Sequence, residues 1–133
     1  MDADLDARTI VVAAAVIERG DAFLLTRRLK GTHLEGTWEF PGGKCDPDET
    51  PSVCLVREIR EELAVEAIVG DVVLVTRHTY PERTVELHFF RADVAGDPIP
   101  QLGQQMRWVP RAELATLEFP EADADLIRLL VAR

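Results

Sequence analysis

Residues 43–65 read GKCDPDETPSVCLVREIREELAV, and no other stretch restricts the chain so tightly. Thr50 is a good N-cap and Pro51 fits the first helical position, so a helix is expected over 51–63. Residues three and four apart are neighbours on a helix surface. Glu58, Glu61 and Glu62 therefore project from one face, with Val53, Leu55, Val56, Ile59 and Leu63 expected on the apolar side. Carboxylates crowded in this way repel unless something positive lies between them. Hard cations such as magnesium take carboxylate oxygens together with substrate phosphates. The physical reading is a helix carrying a divalent metal site. It is opened by Pro41-Gly42-Gly43, whose glycines let the backbone come close to a ligand. The plainer reading of the same pattern is an amphipathic helix with a solvated acidic face.

Strand signals lie on both sides of this helix. Residues 10–17 are rich in valine, isoleucine and alanine, and residues 22–28 return after a turn at Gly20-Asp21. Trp38-Glu39-Phe40 alternates, placing Trp38 and Phe40 on one face. Residues 65–78 hold strand-like runs with a bend expected at Gly70-Asp71, and 84–94 alternates as a central strand. A short strand is expected at 106–109, a short helix at 110–117, and a final amphipathic helix at 121–131 with Leu126, Ile127, Leu129 and Leu130 inward. Residues 1–7 are expected to be flexible. Strands around a central helix, with a second helix at the end, point to a mixed sheet between helices in one α/β domain spanning 1–133.

The formal net charge of −9 argues against duplex nucleic acid as a partner, because backbone binding needs a basic face. No apolar run reaches the length of a membrane span. The first ten residues lack the basic and apolar regions of a signal peptide. Cys45 and Cys54 have no zinc-like partner set, so a cytoplasmic protein with reduced thiols is expected, Cys54 serving as a small packing residue.

Gly43, Glu49, Arg57, Glu58, Ile59, Glu61, Glu62 and Val65 fall in the register of the Nudix box. Together with Thr26-Arg27-Arg28 and Trp38-Glu39-Phe40-Pro41-Gly42-Gly43-Lys44, they make the chain resemble the MutT-like branch of the Nudix hydrolases. The resemblance implies an α/β/α sandwich. It also implies magnesium-dependent hydrolysis of a nucleoside triphosphate to a monophosphate and pyrophosphate, with manganese as an alternative cation. The implied substrates are small-molecule nucleotides: cytidine nucleotides or oxidised purines such as 8-oxo-dGTP. Implied metal ligands are Glu58, Glu61, Glu62 and the carbonyl of Gly42. Arg57 would orient the glutamates, and the general base is one of Glu58, Glu61 and Glu49. Lys44 and Arg28 are the implied phosphate contacts, with Arg27 in reserve. Asp123 would read the base at the start of the last helix, and Phe40 and Tyr80 would stack on it; each also suits a plain packing or capping role. His33, His78 and His88 show no ligand-like pattern.

Two features depart from the family pattern. Ala64 replaces the box's last glycine, which suits a left-handed helix end. Residues 101–108 hold no carboxylate where relatives often carry a further metal ligand. Gln104 or Gln105 would then act through water, or the box alone would hold the metal. A nucleotide-sugar hydrolase and a non-catalytic nucleotide sensor are the rival readings, and both monomer and homodimer remain open.

Overall fold

The structure is a computed structural model and describes residues 9–132. The segment expected to be flexible, 1–7, lies outside the described residues. Among the described residues, seven strands and two helices follow in order. They are β1 (Thr9–Arg19), β2 (Ala22–Arg27), β3 (Trp38–Glu39), β4 (Gly42–Lys44), α1 (Pro51–Leu63), β5 (Glu66–Tyr80), β6 (Arg83–Ala95), β7 (Met106–Pro110) and α2 (Ala124–Val131).

The sheet is mixed. β1 pairs in parallel with β6, antiparallel with β4 over Val12–Ala14, and antiparallel with β2 at its far end. β2 also pairs with β3 and β7, and β5 runs along the outer edge of β6. Alternation along β1 divides the core. Ala13, Ala15 and Ile17 pack with Leu55, Ile59 and Leu63 of α1 on one face. Ala14 and Val16 pack with Leu87, Phe89, Leu126 and Leu130 on the other. The result is three layers, helix on sheet on helix, as expected of an α/β chain.

α1 occupies the predicted span, with Thr50 Oγ1 accepting the Val53 N–H at 3.4 Å and Pro51 in the first turn. Val53, expected inward, is 57% exposed. It lies about 200° around the helix from Leu55, so the buried stripe runs instead through Cys54, Leu55, Ile59 and Leu63. In α2, Leu126 and Leu130 take the inside one turn apart, while Leu129, also expected inward, is 40% exposed.

Ala64 adopts the left-handed conformation, φ 56° and ψ 33°, with its N–H donating to the Arg60 carbonyl at 3.1 Å. The departure from glycine therefore leaves the helix exit unchanged and costs about 1 kcal/mol in backbone sterics. Gly70-Asp71 does not end a strand. β5 continues through it, and two register shifts between Val69 and Leu74 absorb the irregularity. The expected helix at 110–117 is a 3-10 segment, Arg111–Thr116, and the last helix begins with a 3-10 turn, Glu121–Asp123. Cys54 is buried as expected, but the reading of reduced thiols is corrected. Cys45 and Cys54 are joined in a disulfide with Cα atoms 5.2 Å apart, because β4 delivers Cys45 against the first turn of α1.

Candidate active site

β4 lies against both β1 and α1, and its glycines make the approach possible. A Cβ on Gly42 would stand 2.0 Å from the Ala13 carbonyl oxygen. One on Gly43 would stand 2.2 Å from Glu58 Oε1. The glycine turn thus lets the backbone meet β1 and leaves room for a helix carboxylate.

Arg57 binds the acidic cluster together. Its Nε and Nη2 donate to the two oxygens of Glu49 at 2.7 and 2.8 Å. Its Nη1 donates to Glu58 at 2.9 Å and to Glu61 at 3.2 Å, and Nη2 reaches the Lys44 carbonyl at 3.2 Å. These hydrogen bonds, with the Asp46 N–H, pull the Glu49 carboxyl down to about 2. Glu58 goes the other way. Burial raises its pKa, against the pull of Arg57. Burial also pushes Glu62 up to about 8, helped by the charges of Glu39 and Glu58, while the Gly42 N–H opposes the shift.

Glu62 is held from behind. The loop expected to lack a metal ligand caps the end of α1: Ile99 N–H donates to the Leu63 carbonyl at 2.8 Å and Gln101 N–H to the Glu62 carbonyl at 2.9 Å. The buried Gln104 adds its amide to that same carbonyl at 3.3 Å and accepts the Leu102 N–H at 2.8 Å. These donors satisfy carbonyls that a helix end would otherwise leave unpaired.

A cleft of about 410 Å³ opens beside the cluster. Gly42, Gly43, Lys44, Glu58 and Glu62 line one part of it. Val85, Leu87 and Phe89 of β6 form apolar wall, and Asp123, Tyr80 and Phe40 also border it. Asp123 is 4% exposed, and burial together with the charge of Glu39 pushes its carboxyl up to about 7. Phe40 is buried, stacked on Phe119 with ring centroids 5.9 Å apart, so most of its surface is spent on the core. Tyr80 sits edge-on to His78 and His33. Arg28 borders the cleft, but its guanidinium is already engaged, with Nε on the His33 carbonyl at 2.8 Å and Nη1 on Glu39 at 3.3 Å. Glu49 and Glu61 are not among the cleft-lining residues, since Arg57 holds both.

Glu39 and His33 also border the cleft, and the sequence reading assigned neither a role. The signal for Glu39 was its alternation with Trp38 and Phe40. Two buried aromatics on one face leave the residue between them on the other.

Among the described residues, no three acidic, histidine or cysteine side chains converge closely enough to enclose a cation as they stand. The donor set nonetheless suits a hard divalent ion. Glu58 and Glu62 are crowded carboxylates at a cleft wall, Glu58 shares the Arg57 guanidinium with Glu61, and Glu61 is released only if Arg57 yields it.

The chain is similar to known proteins in sequence and in fold. Residues 12–129 match the family model described as NUDIX domain. The chain is 38% identical over 120 residues to the CTP pyrophosphohydrolase of Escherichia coli, covering 90% of this chain and 87% of that protein. It is 35% identical over 130 residues to the 8-oxo-dGTP diphosphatase of Haemophilus influenzae, covering 96% and 95%. The solution structure of the E. coli ORF135 protein superposes with a TM-score of 0.83 at 36% identity, covering 94% of this chain and 90% of that one.

Proposed function

Because the chain belongs to the Nudix hydrolase family, we propose that it hydrolyses a nucleoside triphosphate to a monophosphate and pyrophosphate, acting on cytidine nucleotides or oxidised purines such as 8-oxo-dGTP. The observation that carries this reading is one cleft bordered both by the box carboxylates Glu58 and Glu62 and by the buried carboxyl of Asp123. Such a cleft suits a polyphosphate on the helix side and a base beside Asp123. The relatives named for CTP and for 8-oxo-dGTP support the same substrate class.

A divalent cation, magnesium or manganese, would be held by Glu58, Glu61 and Glu62 with the Gly42 carbonyl. It supplies charge neutralisation at the phosphates and a more acidic water. The chain's own groups do the rest. Lys44 borders the cleft as the phosphate contact, and Arg28 joins it only by loosening its hold on Glu39. Water adds across the link between the first two phosphates: its oxygen bonds to phosphorus, the bridging P–O bond breaks, and its proton passes to a carboxylate. Glu58 suits that role better than Glu49. A general base works best with a pKa near the working pH, and Arg57 holds Glu49 far below it. Glu61 remains with Arg57 as a ligand in waiting. Asp123 contacts the base, Tyr80 borders it, and Phe40 supports that wall from the core.

The test is pyrophosphate release with magnesium from CTP, dCTP, 5-methyl-dCTP, dGTP and 8-oxo-dGTP at equal low concentrations. Turnover confined to cytidine forms or to 8-oxo-dGTP is the expected result. No pyrophosphate from any of them would overturn the reading in favour of a nucleotide-sugar hydrolase or a sensor.

A further inference from the structure

Cys45 and Cys54 sit where the cleft-lining strand meets the acidic helix. Cys45 directly follows β4, and its N–H donates to the Val11 carbonyl of β1 at 2.8 Å. Cys54 lies near the start of α1, about one turn before Glu58, with its N–H on the Thr50 carbonyl at 2.9 Å. The bond between them closes a short ring that contains Asp46 and Glu49. Arg57 reaches the same two residues from α1, with its fork on Glu49 and Nη2 at 3.9 Å from Asp46. The disulfide therefore crosses the gap that the Arg57 contacts cross.

Little slack remains at this junction. Cys54 Sγ lies 3.7 Å from the Gly43 carbonyl oxygen, and a Cβ on Gly43 would meet the Glu58 carboxylate. Both cysteines pack with Ala13, Leu55 and Ile59 in the core beneath α1. Bonded sulfurs sit closer together than two thiols can. Opening the bond must turn a buried side chain or part β4 from α1, and a close-packed interior passes such a change to its neighbours. Those neighbours are Gly43, Glu58 and the Glu49–Arg57 fork. Two features make the bond a reversible tie more than a staple of the whole fold. The cysteines are only nine positions apart, and a short ring constrains the unfolded chain less than a long one. Its effect falls on the junction instead. Cys45 is also 9% exposed whereas Cys54 is fully buried, so an incoming thiolate meets Cys45.

We propose that Cys45 and Cys54 form a reversible thiol–disulfide site that sets how firmly the box carboxylates hold a divalent cation, the oxidised form holding it more tightly. The inference rests on the reading of Glu58, Glu61 and Glu62 as cation ligands. The oxidant is a small-molecule disulfide, represented by oxidised glutathione. The Cys45 thiolate attacks one of its sulfurs, the glutathione S–S bond breaks and one glutathione thiolate leaves. The Cys54 thiolate then attacks Cys45 Sγ in the mixed disulfide, and the second glutathione thiolate leaves. The cysteine pair gives up two electrons and two protons, and oxidised glutathione becomes two molecules of the reduced thiol. Reduced glutathione runs the same steps backwards, entering at Cys45.

The experiment equilibrates the full chain with oxidised or with reduced glutathione and removes the glutathione without admitting air. Free thiols are counted with a chromogenic thiol reagent. Manganese binding, in the absence of nucleotide, is followed by the electron paramagnetic resonance signal of the free ion. The reduced chain should show both cysteines as thiols and bind manganese more weakly by about tenfold or more, the loss typical when the support behind metal ligands is disturbed. Returning it to oxidised glutathione should remove the thiols and restore the affinity. The double variant Cys45→Ser with Cys54→Ser should bind manganese as the reduced chain does after either treatment. Equal manganese affinity in the two states overturns the inference even if the reduced chain unfolds at a lower temperature, since that is the result of a purely structural tie. Thiols that persist in oxidised glutathione, or a double variant that still responds, also overturn it. Should the double variant fail to fold, the two states of the unsubstituted chain decide alone. An affinity that follows the redox state, in a chain that releases no pyrophosphate from any nucleotide of the panel, overturns the reaction reading and leaves this inference standing. No manganese binding in either state overturns the ligand reading and this inference with it.

Discussion

Arg57 grips Glu49 with two parallel hydrogen bonds of 2.7 and 2.8 Å, tying α1 to the loop that precedes it. Paired forks of this kind are the stronger form of ion pair. The Glu49 carboxyl, ordinarily near 4.5, drops to about 2. Its folded pKa lies below its unfolded one, so its contribution to stability is present above about 4.5 and is lost as pH falls toward about 2. Arg57→Gln should flatten the acid limb of a stability-versus-pH curve between those values. Urea midpoints measured from pH 2 to 6 would check it, and an unaltered acid limb would refute the pairing.

Glu61 faces solvent more than its neighbours and, among the described residues, is held by Arg57 alone. Glu61→Gln should leave the circular dichroism spectrum unchanged and lower turnover by at least about two orders of magnitude. Unchanged turnover with magnesium would remove Glu61 from the metal site.

Glu62 is a buried carboxyl whose ionised form is disfavoured by burial and by the charges of Glu39 and Glu58. Its folded pKa of about 8 lies above the ordinary value, so the protein without metal should lose stability as pH rises from about 4.5 through about 8. A divalent cation should restore the loss, since a ligand that binds only the folded state stabilises it. Glu62→Gln should melt higher than the unsubstituted protein at pH 8 without cation and gain little when magnesium is added. Thermal unfolding with magnesium and with a chelator separates these outcomes.

Ala64→Gly should be stabilising, a reversal of the usual cost of glycine near a helix. The native φ of 56° favours glycine by about 1 kcal/mol. That corresponds to a rise of roughly 3–5 °C in Tm for a domain of this size. A lower Tm would mean that the methyl group packs usefully.

What could be read from the residues was the part governed by local rules. Thr50 and Pro51 announced the helix start, the spacing of Leu55, Ile59 and Leu63 gave its buried side, and Ala64 stood out as a misfit that the backbone bears out. Contacts made across the fold were harder to foresee. Cys45 and Cys54 are nine positions apart, and nothing in that spacing says that β4 brings them together. Arg28 looked like a free phosphate contact because its partners, Glu39 and the His33 carbonyl, come from other segments. Gln104 looked like a missing acid, yet it caps the helix that bears the glutamates. Glu39 was visible only as the odd member of an aromatic alternation, and its partner Arg28 comes from another segment.

β1 takes partners from residues 22–23, 42–44 and 84–92. The glycine strand that lines the cleft therefore shares its support with a segment made much later in synthesis. A growing chain on the ribosome can wind α1 early, because helices need only local contacts. Closing β1 onto β6 must wait until residue 92 has emerged, and long-range pairing of this kind is slow. Activity should thus arrive late and all at once during biosynthesis. A fragment ending before β6 would carry every box residue in order and still have no cleft in which to use them.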